Sequence, residues 1–140
     1  MVELEAWYEE DQDDAVIVRT PAELDAVLDA VAGRDGRVLV DLYVAENPGR
    51  ANFNVGLHGQ AGRGALYYAG GGQQWFSTET PGTDWGSAEP VLYYLMSSDT
   101  EYPADSEIPL DVVRRAAHEF MTTGGERPVA PAWRAAPDWW

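Results

Sequence analysis

Short turns between segments of alternating residues are the feature that most restricts how this chain can fold. Between positions 37 and 78 lie four strand-like segments, and only a few turn-forming residues separate each from the next. The first two segments place apolar side chains at every second position. Alternation with a period of two is typical of a strand with one buried face, and such short connections join antiparallel neighbours. We therefore predict an antiparallel meander at the centre of the chain.

Further strands are predicted on both sides of this meander. The central strands span 37–45, 51–58, 64–69 and 73–78, and the glycines at 70–72 form a tight hairpin loop. Strands at 2–8 and 15–18 precede them, and a buried strand at 90–96 follows. The polar, acidic segment 97–107 is interpreted as a loop.

Two helices are predicted from their start and stop signals. Thr20 can cap a first helix in which Glu23 completes a capping box, and Gly33 ends it. Pro109 begins a second helix, which Gly124 ends. Because each helix has one apolar face, both can cover the same side of the sheet. The predicted fold class is α+β, an antiparallel meandering sheet with two helices packed on one face, in a single domain spanning residues 1–140.

Strand alternation also predicts which side chains face away from the helices. The apolar sets at 38, 40, 42, 44 and at 53, 55, 57 should lie under the helices. The opposite side, termed the outer face, would then carry Asp41, Tyr43, Asn52, Asn54 and His58. Tyr67 joins the outer face if Leu66 and Tyr68 point towards the helices. Trp75 joins it if Phe76 points towards the helices.

Charge restricts the classes of partner. Acidic residues outnumber basic residues by 24 to 9, the basic residues are all arginine, and the formal net charge is −15. Such a surface repels nucleic acid and anionic membranes and accelerates encounter with basic proteins. We therefore expect a protein partner and neither nucleic acid nor membrane. The alternative is that the acidity serves only to keep the chain in solution.

The sequence lacks the motifs of the common catalytic and metal centres. It has no cysteine, its two histidines have no metal-ligand spacing, and its glycine triplet has neither the lysine nor the helix of a phosphate-binding loop. We therefore predict no enzyme, no metal and no cofactor. A hydrolase that uses two carboxylates remains an alternative, because 24 acids allow accidental pairs. No apolar run or leader suggests a membrane or export, so a cytoplasmic location is expected.

The second half of the chain carries an ordered set of motifs that resembles a known family. They are Leu66-Tyr67-Tyr68, a glycine hairpin before Trp75, Pro90 with Tyr93, Ser106-Glu107-Ile108-Pro109, Glu119-Phe120, Thr123-Gly124, Arg127-Pro128 and Trp133. In this order, within residues 64–134, they resemble the Imm1-type immunity proteins of bacterial polymorphic-toxin systems. The resemblance implies tight binding to a cognate toxin, typically a nucleic-acid deaminase. The chain would be a monomer alone and form a 1:1 complex with the toxin.

The residues of this resemblance are mostly structural, so the partner-binding residues are predicted from chemistry. The set comprises Asp41, Tyr43, Asn52, Asn54, Tyr67 and Trp75 on the outer face, with Asp84, Trp85 and Glu89 in an anionic loop at 79–89. Rigid aromatic side chains beside acids are typical of interface hot spots. An acidic plug would also compete with nucleic acid for the basic mouth of a deaminase. Two alternatives stay open: an adaptor or chaperone for another protein, and an outer face covered by Trp139 and Trp140.

Overall fold

A computed structural model of the chain describes residues 1–86 and 88–140. The described residues form ten strands and two α-helices. The strands are β1 (Leu4–Trp7), β2 (Val16–Val18), β3 (Val38–Val44), β4 (Asn52–His58), β5 (Arg63–Gly70), β6 (Gln73–Thr78), β7 (Val91–Leu95), β8 (Ser98–Tyr102), β9 (Ile108–Pro109) and β10 (Ala132–Ala135). The helices are α1 (Pro21–Ala32) and α2 (Leu110–Thr123). The predicted α+β class is confirmed.

The main sheet has the strand order β10-β6-β5-β4-β3-β1-β2, and each neighbouring pair in it is antiparallel. Strands β3 to β6 are neighbours in space as they are in sequence, so the predicted meander is confirmed. Gly71 and Gly72 join β5 to β6 with φ angles of 62° and 81°. Glycine adopts this left-handed backbone without a Cβ clash, which explains the hairpin at this position.

Both helices lie where their start and stop signals predict. The Thr20 hydroxyl accepts a hydrogen bond from the Glu23 backbone N–H, and the Glu23 carboxylate accepts one from the Thr20 N–H, which completes the capping box. Gly124 closes α2 with a left-handed φ of 76°. Both helices pack on the same side of the sheet, where Leu24, Phe53 and Phe120 are fully buried in the main core.

The segment predicted as a loop at 97–107 contains a strand, so that prediction is wrong. β8 pairs with β7 in an antiparallel hairpin through a turn at Met96 and Ser97, both of which have positive φ. Ser98, Asp99 and Glu101 are exposed, and Tyr102 is buried. A strand that buries so few of its side chains carries little apolar alternation, which is why its sequence resembles a loop.

The β7–β8 hairpin lies over part of the outer face and closes a second core. This core contains Leu39, Ala65, Tyr67, Phe76, Tyr93 and Tyr102. Gly56 makes the packing possible, because a Cβ at this position would lie 2.6 Å from the Tyr93 ring. The outer face is therefore only partly open. None of the helices formed by the described residues is long and apolar enough to span a membrane.

Candidate functional site

The outer face brings together several of the predicted partner-binding residues. Strand register aligns Trp7, Asp41, Asn54, Tyr67 and Phe76 in one row across β1, β3, β4, β5 and β6. Tyr43 and Asn52 lie on the same face in the adjoining row, since each is two residues from a member of the first. The alternation argument thus placed Asp41, Tyr43, Asn52, Asn54 and Tyr67 on the correct face.

Trp75 lies on the other side of the sheet, so its predicted placement is wrong. It pairs with Tyr68, packs against the main core, and has the Arg127 guanidinium 4.3 Å from its ring centroid. The placement depended on Phe76 facing the helices. Phe76 instead faces the second core opposite Tyr67, and adjacent residues of a strand point to opposite faces.

Tyr67 is on the outer face but is covered by the end of the chain. Its side chain is 8% exposed, and the Trp140 ring lies 5.3 Å from its own, centroid to centroid. Trp140 also packs edge-on against Phe76 at 4.7 Å and Tyr102 at 6.0 Å. The alternative of a tail that covers the outer face is thus confirmed for this part of the sheet.

The uncovered part of the outer face holds Asp41, Tyr43, Asn52 and Asn54, all half-buried. Burial raises the pKa of Asp41 to about 6, and a hydrogen bond from the Tyr43 hydroxyl opposes this shift. Burial, together with the nearby Asp41 charge, also raises the pKa of Tyr43. Among the described residues, the buried Oδ1 atoms of Asp41 and Asn52 have no hydrogen-bond donor.

Trp85 of the anionic loop at 79–89 packs against the protein and does not project from it. Its indole N–H donates a hydrogen bond of 2.7 Å to the Ala135 carbonyl, and its ring packs edge-on against Phe76 at 6.0 Å. The Arg134 guanidinium lies 3.7 Å from the centroid of the indole. Ser87, which belongs to the same predicted loop, lies outside the described residues.

Asp84 and Glu89, which were predicted as partner-binding residues, lie in a groove whose other acidic residues the sequence did not indicate. The groove has a volume of about 770 Å³ and is lined by residues 84–86 and 88–90 and by residues 136–139 of the tail. Glu101 of β8 and Asp138 of the tail also line it, with Trp85 and Trp139 as its aromatic members. The acid-aromatic pair Asp138-Trp139 was the available signal, but no sequence pattern places it beside Asp84. We term this feature the acidic groove.

The arginines are engaged within the protein and leave many acids unpaired. Seven of the nine form ion pairs, namely Arg19, Arg34, Arg37, Arg63, Arg114, Arg115 and Arg134. Arg50 donates to the Gly124 carbonyl, and Arg127 lies over Trp75. Eight of the 24 acidic side chains take part, which leaves sixteen without an arginine within 4.0 Å in the part of the chain that the structure describes.

One partly buried ionic cluster has a structural role. Arg37 donates two hydrogen bonds to the Glu107 carboxylate, at 2.9 and 3.1 Å, and the Tyr93 hydroxyl donates a third at 2.8 Å. Burial alone would raise the pKa of Glu107, but these hydrogen bonds outweigh it and lower the pKa. The cluster ties β7 to β3. Within the described residues, no group of three or more histidine or acidic side chains could hold a metal ion.

A rigid scaffold that presents unpaired carboxylates and tryptophan at an open groove has the features of a protein-binding module. The family model described as immunity protein Imm1 matches residues 12–135. This chain therefore belongs to the Imm1 family of immunity proteins. The match confirms the resemblance and extends it into the first half of the chain. A comparison with curated proteins gives no match.

Proposed function

We propose that this immunity protein binds a cognate nucleic-acid deaminase toxin and neutralises it by occluding the toxin's active site. The observation that carries the proposal is the set of sixteen acidic side chains that have no arginine partner among the residues the structure describes. Family membership supplies the immunity function, and the excess of unpaired carboxylates supports a basic partner.

We expect inhibition by occlusion of the active site, because a nucleic-acid deaminase must admit a polyanionic substrate there. Such enzymes act on single-stranded substrate or extrude the target base, so the entrance to their active site contacts a polyanion. Basic side chains at that entrance bind phosphates, and a carboxylate-rich protein competes for the same charges. The proposal includes a cytoplasmic location, because the nucleic acid that the toxin attacks lies in that compartment. It also includes a 1:1 complex, because one inhibitor molecule is sufficient to block one active site.

The proposal includes no catalytic activity for this chain. A hydrolase that uses two carboxylates needs two acidic side chains close together, one of which is sheltered from water. Asp41 has a pKa raised by burial, but its cross-strand neighbours are Trp7 and Asn54. The four acids of the groove have exposed side chains, which does not favour a proton donor sheltered from water.

The test is inhibition of the cognate toxin domain, which is to be sought among the genes that flank the gene of this chain. Deamination of single-stranded DNA and of RNA is measured while the purified immunity protein is titrated in. We expect activity to fall to background at one equivalent, and excess nucleic acid to slow complex formation. A complex that forms without loss of deaminase activity would instead support the adaptor alternative. Absence of any complex would overturn the proposed function.

A further inference from the structure

We propose that the acidic groove is the binding site for an arginine-bearing segment of the toxin, an inference that rests on the proposed function. Its lining joins three separate parts of the chain: Asp84, Trp85 and Glu89 from the segment before β7, Glu101 from β8, and Asp138 with Trp139 from the tail. The inference identifies the contact surface and the chemistry that the partner brings to it.

The first argument is the absence of an internal counter-charge. All four carboxylates of the groove are exposed, and in the portion of the chain that the structure describes none has an arginine nitrogen within 4.0 Å. The eight acids that do have an arginine partner all lie outside the groove, and some of them are exposed, such as Glu3 with Arg19. Like charges that converge in a concave site reinforce one another's field, so the groove attracts a cation.

The second argument is the exposed aromatic surface. Trp139 is 51% exposed although tryptophan is a large apolar side chain. Trp85 supplies a second indole to the same groove. Tryptophan and arginine are both enriched among interface hot spots, where an aromatic surface beside charged groups binds a desolvated cationic side chain. A role in solubility alone does not explain an exposed tryptophan within an acidic patch.

The third argument is that the fold already packs one arginine against Trp85, which lines the groove. The Arg134 guanidinium lies 3.7 Å from the centroid of Trp85 and donates a hydrogen bond of 2.7 Å to the Thr83 carbonyl. It is nine-tenths buried and belongs to the protein interior. Within the described residues, the carboxylates of the groove have no such arginine partner. A guanidinium suits this site better than an ammonium, because it stacks on indole and forms bidentate bonds with carboxylates.

The size of the groove favours a side chain or short segment over a flat contact. Its volume of about 770 Å³ is within the range of about 300–1,000 Å³ that is typical of ligand sites. An arginine with its neighbours can therefore enter this groove, whose lining includes Glu89 and Asp138.

The experiment compares two triple variants with the same change in net charge. The groove variant is Asp84→Asn, Glu89→Gln, Glu101→Gln. The control is Glu10→Gln, Asp11→Asn, Asp13→Asn, in the exposed turn before β2, at the opposite edge of the sheet. Affinity for the toxin domain is measured by titration calorimetry. We expect the dissociation constant to rise by about 30-fold or more for the groove variant and by less than about threefold for the control.

Single variants on both sides of the interface complete the test. Trp139→Ala should weaken binding at least about tenfold, and thermal unfolding should show that the fold is intact. Glu89→Arg should abolish protection, and arginine-to-glutamate substitution of one exposed toxin arginine should restore it. The inference is overturned if both triple variants weaken binding equally, because net charge would then explain the effect. It is also overturned if the groove variants inhibit as well as wild type. Failure of wild type itself to bind would instead overturn the proposed function.

Discussion

Asp41 occupies a costly position for a carboxylate. It lies on the outer face between Trp7 and Asn54, and its Oδ1 atom is buried without a donor among the described residues. Burial raises its pKa to about 6, above the ordinary value of 3.8. The folded state therefore binds a proton more tightly than the unfolded chain. This destabilises the protein progressively as pH rises from about 4 to 6, and the full penalty applies at higher pH.

We expect Asp41→Asn to raise the free energy of unfolding by about 2 kcal/mol at pH 7.5, because it removes the penalty of a buried charge. The gain should disappear at pH 4, where the wild-type carboxyl is protonated in the folded protein. Urea unfolding at both pH values measures the difference. Asp13→Asn, in an exposed turn, controls for the reduction in net charge. Equal or lower stability of Asp41→Asn at pH 7.5 would contradict this interpretation.

Among the elements, the β7–β8 hairpin is held by its buried Tyr93 and Tyr102 in the second core and by a few polar contacts beside them. β7 pairs with β3 in parallel over a single residue pair, Val38 with Tyr94. Such a short pairing supplies few hydrogen bonds. The hydrogen bonds of Glu107 to Arg37 and Tyr93 provide a charged anchor beside it. Removal of the charge leaves a half-buried guanidinium without its counter-ion.

Glu107→Gln should therefore lower the free energy of unfolding by about 2 kcal/mol at pH 7. Because the pKa of Glu107 is lowered on folding, wild type loses this stabilisation as pH falls below the ordinary value of 4.5. The difference between the two proteins should accordingly shrink at pH 3. Glu79→Gln breaks the exposed ion pair with Arg63 and should cost about 0.5 kcal/mol. Equal costs for the two substitutions, measured by denaturant unfolding, would exclude Glu107 as the anchor.

The tail is a second element whose two tryptophans have different roles. Trp140 packs on Tyr67, Phe76 and Tyr102, whereas Trp139 is more exposed and lines the acidic groove. We expect Trp140→Ala to cost about 2 kcal/mol of stability and Trp139→Ala less than about 0.5 kcal/mol. Thermal unfolding by calorimetry measures both. Similar destabilisation by the two variants would show that the tail packs as one unit.

At the scale of the whole molecule, the net charge of −15 acts on association before any contact forms. The association rate with a basic toxin should fall about tenfold between 20 and 150 mM salt, while the dissociation rate changes less. Stopped-flow mixing at a series of salt concentrations measures both rates. The control triple variant at positions 10, 11 and 13 should show a shallower salt dependence, since it lowers net charge without altering the groove. Rates that are independent of salt would show that the acidity serves only solubility.

Local sequence patterns were sufficient to predict the meander, the helix boundaries and the two faces of β3 and β4. These features depend on local rules: two-residue alternation, the capping box at Thr20 and Glu23, and the left-handed glycines at 71, 72 and 124. The ordered motifs of residues 64–134 likewise identified the family, because they are structural residues tied to that fold.

What covers the outer face, and where the acids converge, depends on packing between distant segments. Trp75 and Phe76 are adjacent, and either could face the helices, but the second core beneath Tyr93 and Trp140 fixed Phe76 on the outer side. The acidic groove joins Glu89, Glu101 and Asp138, which no local pattern relates. Long-range packing determines such features because the face on which a side chain lies depends on the total apolar area that becomes buried. Segments distant in sequence supply part of that area.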